Sequence, residues 1–345
     1  MPKVSVAIAS FNHACFVRET LESVLSQGIK DLEVVVTDDG SHDGTPEVVA
    51  SVSDPRIRLN AFPENRGASV AINDAISRCQ GEYIAILNSD DYFLPGKLAT
   101  QLRVFDAQPH LSAVFGMPRF IDEKGSPLGR GGHGFAGCFS HENHSRSGWI
   151  RRFFDEGNCL CHPTILVRAH CYHTTGLFDR RLRQLPDLDL WLRLAAQHDI
   201  HVLGEELTAF RVLRRERNVS APSPQQAARH AWEMGQVLER YLELPEEFLW
   251  SAFKDAPEFQ GRKDAYVSLA LKAVATGRPG YVQFGLSVLS RKLKDSSDWA
   301  ALREYFGLVG EIDPFGQRYN NPLVRAAASP AIVSMCRKIK RWLMA

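Results

Sequence analysis

Two pairs of adjacent carboxylates dominate the chemistry this sequence could do. Asp38-Asp39 follows the apolar run Leu32-Glu33-Val34-Val35-Val36-Thr37, and Asp90-Asp91 closes Gly81-Glu82-Tyr83-Ile84-Ala85-Ile86-Leu87-Asn88-Ser89. Acids placed side by side repel one another, so the arrangement calls for a cation, and a divalent metal held by carboxylate oxygen is the direct candidate. Arg66 stands in a glycine loop, Asn65-Arg66-Gly67, just ahead of a helical pattern. An arginine beside a helix N-terminus is a natural anion site. Acids for a metal, with an arginine and a helix dipole for anions, point to a metal-bound diphosphate ligand. The phosphate loop G-x-x-x-x-G-K-[ST] is absent, as is G-x-G-x-x-G after the first strand, so a P-loop enzyme and a standard dinucleotide binder are excluded.

These residues form one site only if the elements carrying them share an edge. Val4-Ser5-Val6-Ala7-Ile8-Ala9 reads as a strand buried on both faces. Val17, Leu21, Val24 and Leu25 then fall at helical spacing, with Gly28 as the stop. Strands at 32–37, 57–60 and 81–88 alternate with helices at 43–52 and from Ala68 to Cys79. Pro95 opens a further helix through Leu98, Leu102 and Phe105, and 111–117 is another strand. The alternation predicts an α/β fold, a largely parallel sheet with helices on both faces. Both acid pairs then lie at the C-terminal ends of parallel strands, where open α/β sheets keep their ligands.

The stretch from Gly125 to Gly148 has no periodicity and reads as a lid or acceptor-side loop. Ordered pieces return near 150–154, 164–167 and 191–194, and Thr208-Ala209-Phe210-Arg211-Val212 is a last strand-like piece. Pro222-Ser223-Pro224 marks a linker, so residues 1–218 form the α/β domain and 219–345 a helical region. That region ends in a sharply amphipathic segment with Ile332, Met335, Cys336, Ile339, Trp342 and Leu343 on one face and Arg337, Lys338, Lys340 and Arg341 on the other. Such a segment reads as a helix that packs or forms a homo-oligomer, with peripheral membrane contact as the alternative.

The 345 residues are 44% hydrophobic and 23% charged, with a net charge of +1. That balance excludes a nucleic-acid binder, which carries a basic excess. No apolar run reaches membrane-spanning length, and the N-terminus enters a strand pattern directly instead of a signal peptide. A cytoplasmic location is expected, peripheral at the inner membrane face if the terminal segment is an anchor, with the seven cysteines as reduced thiols. Cys159-Leu160-Cys161-His162 lacks the C-x₂₋₄-C spacing of structural zinc and reads as buried thiols.

Val4 through Asn12, Val36-Thr37-Asp38-Asp39-Gly40-Ser41, Asn65-Arg66-Gly67, Gly81 through Asp91 and Asp187-Leu188-Asp189-Leu190-Trp191-Leu192-Arg193 together resemble glycosyltransferase family 2 over about residues 3–215. The resemblance implies a GT-A fold, a nucleotide-sugar donor with UDP-sugar as the default, a Mg²⁺ or Mn²⁺ ion, and inversion at the anomeric carbon. It places Ala9, Phe11, Asn12, Asp38, Asp39, Arg66, Asn88 and Asp90 against the donor nucleotide, with Asp39 preferred over Asp38 for the nucleobase. Asp90 and above all Asp91 hold the metal, and Asp187 is the general base on the acceptor hydroxyl. His162, Asp189 and Trp191 belong to the acceptor side, with Asp189 competing for the base role. The implied acceptor is a glycan or lipid-linked carrier in cell-surface polysaccharide synthesis. Other readings of the same residues are plainer: Asp38-Asp39 can shape the turn before Gly40, and Asp187 can cap its helix.

Three positions depart from the family pattern. Asn88 stands where relatives carry the first acid of Asp-x-Asp, Pro186 replaces the glutamate before the catalytic aspartate, and Leu213-Arg214 occupies the region of a histidine metal ligand. Arg214, Arg215 and Arg217 are candidates to take over part of the metal's role. The competing functions are a nucleotide-sugar-binding or assembly protein that has lost catalysis, and a sugar nucleotidyltransferase. The first turn, Ser10-Phe11-Asn12-His13, lacks the glycine-rich, arginine-containing loop of the latter.

Overall fold

A computed structural model describes residues 2–129, 137–139, 141–213, 224–262 and 264–294. The chain divides into two compact units, Met1–Ala221 and Pro222–Ala345. Arg214, Arg215, Arg217, the Pro222-Ser223 part of the linker, much of the glycine-rich loop and the amphipathic terminal segment lie outside the described residues.

The first unit is built on strands β1 (Val4–Ser10), β2 (Leu32–Asp38), β3 (Ile57–Ala61) and β4 (Tyr83–Asn88), side by side as β3-β2-β1-β4 and all parallel. Valine, isoleucine and alanine fill β1, β2 and β4 because both faces are covered. On one face Val6, Ile8, Val34, Val36 and Leu87 pack with Val17, Leu21 and Val24 of α1 (Val17–Leu25). Helix α2 (Thr45–Ser51) links β2 to β3, and α3 (Ala68–Arg78) links β3 to β4. The parallel register aligns Ser10 with Asp38 and Ala9 with Asn88, so the three strand ends finish at one level. Gly81 fits where β4 begins because a Cβ there would lie 2.6 Å from the Ser5 nitrogen.

Beyond β4 the sheet becomes mixed, continuing β7-β6-β8-β5. Strand β5 (Tyr92–Phe93) leads through Gly96, at φ 80°, into α4 (Lys97–Ala107). That left-handed turn starts the helix two residues after Pro95. Strand β6 (Leu111–Ile121) pairs parallel to β8 (Asp199–Arg211), while β7 (Leu166–Arg168) runs antiparallel to both β4 and β6. The long β8, of which only the last part was expected from sequence, is irregular. Gly204, Glu205 and Glu206 are outside the core and the register against β6 shifts nearby, which erases the period-two signal. Residues 150–154 and 191–194 belong to helices α5 (Arg146–Glu156) and α7 (Pro186–Gln197), with the short α6 (Cys171–Thr175) between them.

The described part of the second unit is helical: α8 (Pro224–Glu239), α9 (Glu246–Phe253), α10 (Ala265–Ala275) and α11 (Pro279–Lys294). Asp264 caps α10 by accepting from the amides of Tyr266 and Val267, both at 2.9 Å. Helix α11 approaches its neighbours through glycines. A Cβ on Gly280 would lie 2.3 Å from the Ala231 carbonyl oxygen of α8, and one on Gly285 would lie 2.5 Å from Ala270 O of α10.

Candidate active site

The level ends of β1, β2 and β4 carry the acids. Asp38 is fully buried and both its oxygens are engaged: Oδ1 accepts from Ser10 Oγ (2.8 Å) and Ser41 Oγ (2.7 Å), and Oδ2 accepts from Ser41 N (2.8 Å). Asp39 accepts from the backbone amides of Arg66 (2.7 Å) and Gly67 (2.9 Å). It thereby holds the loop that leads into α3, while none of the described side chains caps the helix itself. Burial raises the Asp39 carboxyl above its ordinary range despite those two donors. Gly40, at φ 74°, lets this turn lie on the loop behind Arg66, since a Cβ there would sit 2.4 Å from the Glu64 carbonyl carbon.

With Asp39 on the amides, the Arg66 side chain is left at the surface, its guanidinium 4.7 Å from the Phe62 ring centroid. After β1 the chain turns through Asn12, at φ 53°, a conformation asparagine tolerates better than most side chains. Ser41 Oγ accepts from Asn12 N (2.8 Å), and Asn12 Oδ1 accepts from His42 N (3.0 Å). This lock leaves Phe11 40% exposed, an apolar ring turned to solvent beside the acids.

At the end of β4, Asp91 is 2% exposed and accepts from Asn88 Nδ2 (2.8 Å) and from the amide of Arg211 (2.7 Å). Asp90, half-buried, lends its backbone carbonyl to Arg211 Nε (2.8 Å), and none of its hydrogen bonds described here engages its carboxylate with another residue. Burial pushes both carboxyls up, and for Asp91 the neighbouring Asp90 charge adds to it. The buried Arg211 answers them and also binds Glu19 Oε2 (2.6 Å) and the carbonyls of Asp122 and Glu123 (3.2 and 3.0 Å), with Phe16 stacked at 4.7 Å. His13 closes the rim through Nδ1 to Ser89 Oγ (2.8 Å).

Residues for metal chemistry are few. Among the described residues no three His, Cys, Asp or Glu side chains converge as a metal cage. Leu213, where a third ligand was looked for, is buried and apolar. Asp91, expected above all to hold a metal, has its oxygens on Asn88 Nδ2 and the Arg211 amide. The half-buried Asp90 would therefore offer one carboxylate to a Mg²⁺-type ion that takes its other ligands from a diphosphate and water.

The residues expected on the acceptor side lie on α7 and in the chain between α5 and α7. Asp187 lies in the first turn of α7, half-buried. Its Oδ1 accepts from Leu188 N (2.9 Å) and its Oδ2 from Asn158 Nδ2 (2.6 Å). The preceding loop is tied to α3: Asn73 exchanges two hydrogen bonds with Phe178 (2.8 and 3.0 Å), and Ser69 Oγ donates to Leu182 O (3.2 Å). Below the site Lys97 is fully buried, donating to Gln101 Oε1 (2.8 Å) and Ile165 O (3.4 Å) over the Phe93 ring. Gln101 Nε2 in turn holds the carbonyls of Val114 and Thr164, both at 2.8 Å.

This arrangement of motifs is matched by one family. Residues 5–173 fit the profile of Glycosyl transferase family 2. Through this region the chain belongs to that family. A Bacillus subtilis protein named as a glycosyltransferase, EpsE, is 32% identical over 198 residues, 56% of this chain and 66% of EpsE. For several such relatives the match spans only 64 to 66% of their length. Solved structures share the GT-A fold. Staphylococcus aureus TarS 1–349 with UDP-GlcNAc has a TM-score of 0.52 at 18% identity, covering 79% of this chain and 81% of that one. The mannosyltransferase PcManGT of Pyrobaculum calidifontis, with GDP-Man and Mn²⁺, has a TM-score of 0.52 at 17% identity, covering 95% and 86%.

Beyond the matched residues two acceptor-side expectations need correction. Trp191 is fully buried, edge-on to Phe115 at 5.0 Å, and Asp189 is 1% exposed and paired with Arg193 (2.6 Å), so neither presents a surface to an acceptor. From Leu188 to Leu192 the helix is buried on every side, whereas Asp187, in the first turn, stays half-buried at the edge. His162 is half-buried between Phe178 and Trp191, at 5.5 and 6.0 Å. Burial lowers its imidazole to about 4, so the ring is neutral. Arg211 and Asn158 were missed. An arginine ending a strand and an asparagine after a glycine carry no periodic signal, and their partners are distant in the chain.

Proposed function

We propose that this family 2 domain is an inverting glycosyltransferase that moves a sugar from a nucleoside diphosphate donor to a hydroxyl of a glycan or lipid-linked acceptor in cell-surface polysaccharide synthesis. The observation that carries the reading is the division of labour among the acids. Asp38, Asp39 and Asp91 are buried and engaged by the fold, whereas Phe11 and Arg66 are exposed and Asp90 half-buried on the side we assign to the donor. Asp187, held by Asn158 and the Leu188 amide, is half-buried on the side we assign to the acceptor. Phe11 stacks on the nucleobase, with Ala9 and Asn12 shaping the strand end beneath it. The Arg66 guanidinium stabilises charge on the departing diphosphate. Asp187 takes the acceptor proton as the acceptor oxygen bonds to the anomeric carbon and the bond to the diphosphate breaks with its electron pair on the leaving group. One carboxylate on the acceptor side suffices because inversion needs no nucleophilic intermediate. A Mg²⁺ or Mn²⁺ ion would be held by Asp90 and diphosphate oxygens, and supplies neutralisation of the leaving group.

UDP-sugar is the donor we favour, on the family resemblance and the UDP-GlcNAc bound by TarS; PcManGT, with GDP-Man, marks GDP-sugar as the alternative. A second reading, a nucleotide-sugar-binding protein without turnover, draws on Asn88 and Leu213. No helix among the described residues is long and apolar enough to cross a membrane. Contact with a membrane or a second copy would fall to the terminal segment, and co-sedimentation of the full chain with vesicles, against a chain cut before Pro330, tests the membrane arm.

The deciding experiment is a turnover screen across UDP-, GDP- and dTDP-sugars with metal, comparing wild type with Asp187→Asn. Turnover of one donor class by wild type and its loss in the variant is expected. Equal turnover removes Asp187 from the base role, and binding without turnover in both selects the second reading.

A further inference from the structure

We propose that Asn158 is a positioning residue for Asp187: its side-chain amide fixes the carboxylate and holds it ionised, ready to take the acceptor proton. The inference rests on Asp187 being the general base.

The Asn158 amide has only one workable orientation. Its Oδ1 accepts from the amide of Leu160 (3.1 Å), which turns Nδ2 onto Asp187 Oδ2 at 2.6 Å. A donor at that distance from a carboxylate is a charge-assisted hydrogen bond, and it favours the ionised form. The other oxygen, Oδ1, is held by Leu188 N of the same helix (2.9 Å). Two donors from two elements therefore fix the carboxylate plane.

Asn158 is itself held from both sides. Helix α5 ends at Gly157, φ 84°, which throws the chain directly into Asn158, and α5 is anchored by buried Trp149, Ile150, Phe153 and Phe154. On the far side the Lys97–Gln101 clamp grips the carbonyls of Thr164 and Ile165. A purely structural link would sit in the core, yet Asn158 and Asp187 are both half-buried at the edge of the unit. Two titratable groups among the described residues lie near this pair. Cys161 is on the same segment, its thiol pushed up by burial and by the charges of Asp91 and Asp187, and Asp189 is turned inward to Arg193.

The test compares wild type, Asn158→Ala, Asn158→Ser, Asn158→Asp and Asp187→Asn, reading kcat, donor KM and the pH profile of transfer. For Asn158→Ala a fall in kcat of about tenfold or more is expected, with donor KM unchanged and the acid limb of the profile moved to higher pH. Asn158→Asp, the same shape with a second carboxylate, should move the limb further. Asn158→Ser, which keeps a donor, should recover part of the loss. An acid limb that stays in place in Ala and Asp variants that fold, while Asp187→Asn is inactive, overturns the role of Asn158 alone. Full activity of Asp187→Asn overturns the base assignment and this inference with it.

Discussion

Asp38, Asp39 and Asp91 at the donor edge are at most 2% exposed, with both oxygens of each accepting from backbone amides or neighbouring side chains, whereas Asp187 on the acceptor side is half-buried and held by two donors at the rim. The difference separates two uses of a carboxylate. In the parallel half of the sheet, acids replace missing backbone partners at strand ends and in the loop ahead of α3, so their loss should be felt as folding. At the start of α7 an acid is held in place but left accessible, so its loss should be felt as turnover.

The sharpest contrast is expected from Asp187→Asn, which should lower transfer by about 10²–10⁴-fold, the usual worth of a general base, with melting temperature and donor affinity near wild type. Asp91→Ala should instead lose about 1–3 kcal/mol of stability, because the Arg211 amide and Asn88 are left without their acceptor. Denaturant midpoints measure it. A stable Asp91→Ala protein that has lost donor binding would break the comparison by making Asp91 a ligand-facing acid. Phe11→Ala should weaken nucleotide binding by roughly tenfold, from the loss of about 1–2 kcal/mol of stacking, with no change in melting temperature; calorimetric titration with UDP reads it.

The smallest effect concerns the clamp beneath both regions. Burial holds the Lys97 amine well below its ordinary 10.5, so the unfolded chain binds a proton there that the folded chain does not. Stability from this group is complete above pH 10.5 and is lost as pH falls from 10.5 toward the depressed folded value. Lys97→Met should flatten that part of the stability–pH curve, followed by urea unfolding between pH 7 and 10. An unchanged slope would mean the amine stays charged in the fold.

Much of the donor edge was legible because buried parallel strands announce themselves as short apolar runs, and acids directly after them must lie at strand ends. What the acids do there was not legible. That Asp39 holds the Arg66-Gly67 loop ahead of α3 depends on Gly40 allowing the turn to lie against residues 64–65, a tertiary approach with no local signal. Arg211 was hidden for the same reason, since its partner Glu19 is 192 residues away. Trp191 and Asp189 looked functional because they neighbour Asp187 in sequence, but the helix is buried on every side from Leu188 to Leu192.

The ties from Ser69 and Asn73 of α3 to the loop at Phe178–Leu182 have a thermodynamic consequence. The helix whose mouth bears Arg66 and the chain that delivers Asp187 are joined by three hydrogen bonds, so their positions are not independent variables. If a donor draws the start of α3 inward, the acceptor side is biased with it. By reciprocity an acceptor that prefers the biased form must tighten the donor by the same factor. The coupling between the two ligands, measured as the effect of a non-reactive acceptor on UDP affinity, should then fall when these three hydrogen bonds are removed.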